Sequence, residues 1–235
     1  MARTLRDRIY KKVLSLPVEL RSVAEQDLSL LSARSRLSPR DLARIVADPA
    51  AEPQLRSIAA WVIGFVGEAS LAPALEQVAR SPLPEGLLWE ISKALCNLNQ
   101  GRLLFRDLLK SESPEVRRIA VYALGRLGER GAERDLCRLL LSSDEAPALR
   151  GQAAESLGYL ALETSLPCLL KAAKDMAPEV RFWTAFALGR IGSRRAEAVL
   201  VKMASSDHVQ VDGWGEVSSE AAQALQAIRE KKESL

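Results

Sequence analysis

Residues 114–128 read PEVRRIAVYALGRLG and residues 178–192 read PEVRFWTAFALGRIG, with APALRGQAAESLGYL at 146–160 between them. Prolines at 53, 84, 114, 147 and 178 start five units of roughly equal length, and self-similarity at such a period is the mark of a stacked repeat array. An apolar-Arg pair follows the proline in four units: Leu55-Arg56, Val116-Arg117, Leu149-Arg150 and Val180-Arg181. Farther on come Ile63-Gly64, Leu124-Gly125, Leu157-Gly158 and Leu188-Gly189. The second unit departs from both patterns, with Leu87-Leu88 and Leu95-Cys96 in those places.

Each unit reads as two helices. Val116, Ala120, Ala123, Leu124 and Leu127 recur at helical spacing and form one apolar stripe. Ser111 or Ser113 before Pro114 supplies a capping oxygen followed by a residue suited to the first turn, and Asp144 and Asp175 hold similar places later. Gly67, Gly128 and Gly192 fall where the first helix must end in a residue free to take positive φ. Leucine-rich stretches such as AERDLCRLLL then give a shorter second helix. A hairpin of about 30 residues cannot bury its stripe alone, so neighbouring hairpins must stack.

Composition agrees with this. The chain has 235 residues, 48% of them hydrophobic but only 5% aromatic, which suits a core of Ala and Leu. The net charge of +3 announces no nucleic-acid binder, so any basic surface must be local. The apolar run IAAWVIGFVG from Ile58 is too short to span a bilayer, and MARTLRDRIYKKVLSLPVEL has charges where a signal peptide needs an apolar stretch. A cytoplasmic location is expected. Cys96, Cys137 and Cys168 are odd in number and lack CxxC spacing, so they read as buried small apolar residues, with neither a disulfide framework nor a zinc site indicated.

The pattern PEVRxxAxxALGxxG followed by a short Leu-rich helix resembles a HEAT repeat, and most the short bacterial subtype named after the phycobiliprotein (PBS) lyases. The resemblance runs from about Glu52 to Ala204 and implies an all-α fold, a right-handed α-α superhelix of about six helical hairpins with terminal cap helices. One solenoid domain over residues 1–235 is expected: cap helices at 1–50, five repeats at 51–205, and a loop and cap helix at 206–235. The family contains scaffolds, adaptors, nucleic-acid binders and a few enzymes, so the fold does not name a function.

In such a stack Arg56, Arg117, Arg150 and Arg181 recur at equivalent points and are expected to tie hairpins to neighbouring caps or carbonyls. A second arginine set, Arg102, Arg126, Arg130, Arg134, Arg190, Arg194 and Arg195, gathers at the turns between paired helices and is the candidate basic rim for phosphates. Glu129, Glu133 and Glu197 dilute it. Phe182, Trp183 and Phe186 are more aromatic surface than one repeat needs, and Asp212 and Trp214 lie in the idiosyncratic DGWGEV segment. These five are the candidate partner-binding residues, since aromatic anchors dominate interfaces and irregular loops carry sites. The partner face itself is expected on the second helices.

At the N-terminus Leu5, Ile9 and Val13 beside Arg6, Arg8, Lys11 and Lys12 also fit a membrane-surface helix, but a cap helix needs the same pattern. Ser38-Pro39 with Asp41 is a helix start, and Ser218 or Ser219 with Glu220 starts the last helix. His208 is the single histidine, which excludes a multi-histidine metal site and the paired His-Glu motifs of HEAT-repeat hydroxylases. No GxSxG, P-loop or GxGxxG motif occurs. No cofactor is implied. The expected function is a non-enzymatic scaffold or adaptor for a protein partner; the alternatives are a nucleic-acid binder using the rim, then a lyase-like or DNA-glycosylase-like enzyme on the same fold.

Overall fold

The computed structural model describes residues 4–33 and 36–233, so the ends of the expected domain at 1–3 and 234–235 lie outside the described residues. Contacts divide the chain into two compact units, 1–104 and 105–235.

In the first unit, α1 (Leu5–Leu14), α2 (Val18–Ser32) and α3 (Pro39–Ala47) precede the hairpin of α4 (Pro53–Val66) and α5 (Ala72–Ala79), and α6 (Glu85–Asn97) follows. Thr4 and Asp7 close a capping box on α1, and Ser38 caps α3 through the Asp41 N–H. The N-terminal helix of the sequence reading is therefore a packed element: Ile9 and Val13 are buried, and α1 lies against α2 and α4. Its Arg8 donates to Glu68 and to the Val66 carbonyl at the end of α4. The helix α7 (Arg102–Leu108) spans the point where the contact pattern divides.

In the second unit, α8 (Pro114–Arg126), α10 (Pro147–Leu160) and α12 (Pro178–Ile191) are the long first helices, paired with the second helices α9 (Glu133–Leu140), α11 (Leu166–Ala172) and α13 (Glu197–Ser206). Each long helix begins on its proline, where a missing N–H removes no helical bond. Short 3-10 turns lead into the second helices at Arg130–Ala132, Glu163–Ser165 and Arg194–Ala196. Successive first helices pack on one another, α8 on α10, α10 on α12, and α12 on α14 (Val217–Glu233). Leu124, Leu136, Leu157, Leu169, Leu188 and Leu200 are all fully buried, each contributing about 1.5–3 kcal/mol of burial.

The Leu-Gly pair now has a physical reason. A Cβ placed on Gly125 would stand 2.6 Å from the Cβ of Ser156, and one on Gly189 would stand 2.8 Å from the Cα of Ala224. First helices therefore meet backbone to backbone at these glycines, and any side chain there would push the next hairpin away. The positive-φ expectation holds at Gly67, Gly128 and Gly192, with Gly128 one residue past the α8 cap at Leu127, while α10 ends at Ala161 with a φ of 49° and no glycine.

The arginine row ties the stack as expected. Arg117 donates to the Ser111 and Glu112 carbonyls in its own leading loop and to the Glu145 carboxylate in the next, at 2.6 Å. Arg150 repeats this with the Glu145 carbonyl and the Asp175 carboxylate. Arg181 reaches the carbonyls of Asp175 and Met176 and grips Asp207 with two bonds of 2.6 and 2.9 Å. Glu145, not Asp144, takes the first of these places. Arg56 in the first unit donates to the Val46 carbonyl at the end of α3.

The cysteine reading needs correction. Cys137 on α9 and Cys168 on α11 form a disulfide across 31 residues, with Cα atoms 5.8 Å apart, while Cys96 stands outside it. Both lie on second helices whose repeat stacking brings them side by side, a proximity that their spacing alone does not encode.

Candidate functional site

Tyr159, Trp183 and Phe186 of the second unit lie on its first helices, whereas the partner face is expected on the second helices. Trp183 and Phe186 stand three apart on α12, so both project from one face. Their rings meet edge to face with centroids 5.6 Å apart. Tyr159 on α10 meets Phe186 at 5.8 Å, and the Arg126 guanidinium, at the end of α8, lies 5.4 Å over the Tyr159 ring. Burial and then the neighbouring Glu155, which accepts the Tyr159 hydroxyl, push that phenol above its ordinary range.

The row closes at Trp214. The segment after α13 forms a two-stranded hairpin of β1 (Gln210–Val211) and β2 (Gly215–Glu216), turned through Gly213 at a φ of 78°. Its base is fixed at Asp207, whose carboxylate is held by Arg181 and whose carbonyl accepts the Ser218 N–H at 2.8 Å. That anchorage sets Trp214 edge-on to Trp183 at 4.8 Å, yet leaves Trp214 61% exposed.

The five partner-binding candidates thus separate. Trp183, Phe186 and Trp214 belong to one continuous surface. Phe182 does not: it is 6% exposed and packs inward, because adjacent helical residues point about 100° apart and Trp183 takes the outer position. Asp212 is exposed in the hairpin turn. The last helix starts at Val217, one residue before the expected serines, and the Ser218 hydroxyl bonds the Glu216 carboxylate. Tyr159 and Arg126 were missed as members of the row. Their signal lay in the repeat register, since Arg126, Tyr159 and Arg190 all stand two residues after the Leu of the Leu-Gly pair.

The candidate rim is less coherent. Arg130, Arg134, Arg190, Arg194 and Arg195 are exposed, Arg126 belongs to the aromatic row, and Arg102, in the other unit, bonds the Asn99 side chain and carbonyl. Carboxylates run between the turns of the second unit. Glu133 accepts from Thr164 and Ser165, and Glu163 accepts from Ser193. The edge is a mixed-charge, hydrogen-bonded border. His208 lies 3.5 Å from Glu216 on the exposed hairpin. Among the described residues no group of three or more His, Cys, Asp or Glu is placed to hold a metal ion, and no helix is long and apolar enough to cross a membrane.

Solved structures share this architecture at low identity. A designed armadillo repeat protein in complex with the peptide (KR)4 is 19% identical, covering 83% of this chain and all of its own, with a TM-score of 0.55. An engineered protein aligns at 20% identity over 94% of this chain and 68% of its own, with a TM-score of 0.52. The complex of CpcE and CpcF of phycocyanin lyase from Nostoc sp. PCC7120 is 18% identical over 100% of this chain and 90% of that one, with a TM-score of 0.51. At these identities the likeness establishes the helical-repeat fold alone. No curated protein matches the chain. The HEAT-repeat family model matches residues 101–175 and 166–235, more than half of the sequence. With its prolines, arginine ties and Leu-Gly contacts accounted for, the chain belongs to the HEAT-repeat family.

Proposed function

We propose that the chain is a non-enzymatic scaffold or adaptor, a single solenoid domain over 1–235 that binds a protein partner through the row Arg126, Tyr159, Phe186, Trp183 and Trp214. The observation that supports it most is Trp214: a large ring, 61% exposed, held by an anchored hairpin against a half-buried tryptophan. Rigid aromatic area presented at low entropic cost is what interface anchors supply. Solved relatives of this fold include a peptide complex and a two-protein complex, which accords with a protein ligand.

Other readings have less support. The repeat arginines Arg117, Arg150 and Arg181 are spent on carboxylates and carbonyls, and the exposed rim arginines stand among Glu133 and Glu163, so a phosphate there would meet an edge of mixed charge. The aromatic row is a surface, whereas the lyase-like or glycosylase-like alternative needs polar groups converging in a deep pocket. The proposed location is the cytoplasm, where a bond such as Cys137–Cys168 is usually transient.

The test is capture of partners from a cell lysate by the full chain, with a salt gradient and a nuclease-treated parallel. A discrete protein that survives nuclease and moderate salt, and is lost with Trp183→Ala and Trp214→Ala, supports the reading. Retention indifferent to both variants, or nucleic acid released at low salt with no stable protein, overturns it.

A further inference from the structure

A second surface, independent of the aromatic row, lies in the first unit. A cavity of about 560 Å³ opens between α2, α4 and α6. One wall is a ridge of Leu16, Leu20 and Val23, running into and along α2 at spacings of four and three. Its floor is Ile58, Trp61 and Phe65 on α4, at spacings of three and four, with the last two rings stacked at 4.9 Å. Leu20 and Val23 are each 56% exposed, a large apolar area for one helix to leave in water.

The charge of the groove is uneven. Lys93 is paired with Glu90 at 2.6 Å, so those two cancel. Asp27, one turn beyond Val23, also lines the groove, and among the described residues nothing hydrogen-bonds or pairs with its carboxylate. At the Asp27 end one negative charge is left over, while the Lys12 ammonium lies 5.0 Å over the Phe65 ring of the floor.

We infer that this groove binds an amphipathic helix of a partner protein, with large apolar residues seated between Leu20, Val23, Trp61 and Phe65 and a lysine or arginine at Asp27. Both ridges repeat once per helical turn, about 5.4 Å, which a third helix matches with side chains at i, i+3, i+4 and i+7. An extended segment repeats on one face every 6–7 Å or so and falls out of step. The cation follows from the unpaired carboxylate. Burial, and secondarily Glu90, raise the Asp27 carboxyl, as expected of an anion that lacks a counter-charge.

The test uses two fluorescein-labelled helical peptides of 16 residues. Each carries leucines at i, i+3, i+4, i+7 and i+11; one has a lysine flanking that stripe, and the other has a glutamate in its place. Anisotropy is measured against the full chain, a Leu20→Glu/Val23→Glu double variant, Asp27→Lys, and Trp183→Ala/Trp214→Ala. Because Leu20 and Val23 are exposed, the double variant keeps its fold, checked by circular dichroism and a melt. The lysine peptide is expected to bind saturably, to weaken tenfold or more with the double variant, and to lose its advantage over the glutamate peptide in Asp27→Lys. Trp183→Ala/Trp214→Ala leaves that binding unchanged, which keeps this test separate from the one above. No saturable binding, indifference to the double variant, or a preference for the lysine peptide that Asp27→Lys leaves unchanged overturns the inference. A dimer in sedimentation that the double variant dissolves overturns it also, by giving the groove to a second copy.

Discussion

From Arg117 to Asp207 every first helix is tied forward by charge. Its arginine holds the carbonyls of its own leading loop and the carboxylate of the loop that follows, and a disulfide joins two of the second helices. In residues 4–104 the corresponding Arg56 holds a backbone carbonyl, Leu87-Leu88 fills the next place, and Cys96 stands outside the disulfide. The outer faces of the first helices differ to match. Phe186 and Tyr159 stand two residues before and two after the Leu of their Leu-Gly pairs, and Trp61 and Phe65 take those same places around Ile63-Gly64. In one unit these positions build a row finished by Trp214; in the other they floor a groove walled by α2. One repeat code thus supports two kinds of surface, and what is added around it decides which.

The comparison breaks most readily at the disulfide. Reduction, or Cys137→Ser, is expected to cost residues 105–235 about 3–4 kcal/mol, the chain-entropy value for a loop of 31 residues. Hydrogen exchange should show this in α10 and α12, with the amides of α4 and α6 unmoved. Equal loss in both units would mean that they unfold together, and the contrast between them would fall.

Next comes the arginine code. Arg181 and Asp207 are 15% and 14% exposed, so Arg181→Ala strands a carboxylate and is expected to cost roughly 3 kcal/mol, the low end for a buried pair. Arg56→Ala strands only a carbonyl, for about 1–2 kcal/mol. Urea melts of the two variants sharpen the comparison if the order holds, and an equal or larger cost at Arg56 contradicts it.

The smallest effect lies on α14. Burial raises the Glu220 carboxyl above its ordinary value, so the folded chain keeps that proton to a higher pH than the unfolded chain does. At neutral pH its charge is a cost, and the cost disappears as pH falls through the folded pKa to where both states are protonated. Glu220→Gln is expected to stabilise by a few tenths of a kcal/mol at pH 7, water screening keeping the effect small, with the gap to the parent closing below about pH 4. Melts at pH 7 and pH 4 check the sign, and a gap that widens on acidification would refute it.

Much of the architecture is legible in the sequence because repetition multiplies weak signals. A single Pro114 or Leu124-Gly125 says little, but several copies at fixed offsets specify a stack, and the arginine after the proline then has only neighbouring loops to reach. Features outside the repeat are not legible in this way. Cys137 and Cys168 sit at different distances from the turns that lead into their helices, so the period does not align them. Phe182 and Trp183 are neighbours in sequence, yet the helical rotation sends one inward and the other out. The groove depends on how α2 lies against α4, and no repeated position records that.

Each arginine tie has its donor in one repeat and its acceptor in the loop that opens the next. A repeat copied whole therefore brings both halves, a carboxylate for its predecessor and a guanidinium for its successor. Duplication or loss of one period within 114–206 leaves no buried charge orphaned, because Asp207 in the closing segment receives whichever arginine comes last. Length in this part of the chain is heritable in whole steps, and the segment that ends the series is the one that cannot be copied without breaking it.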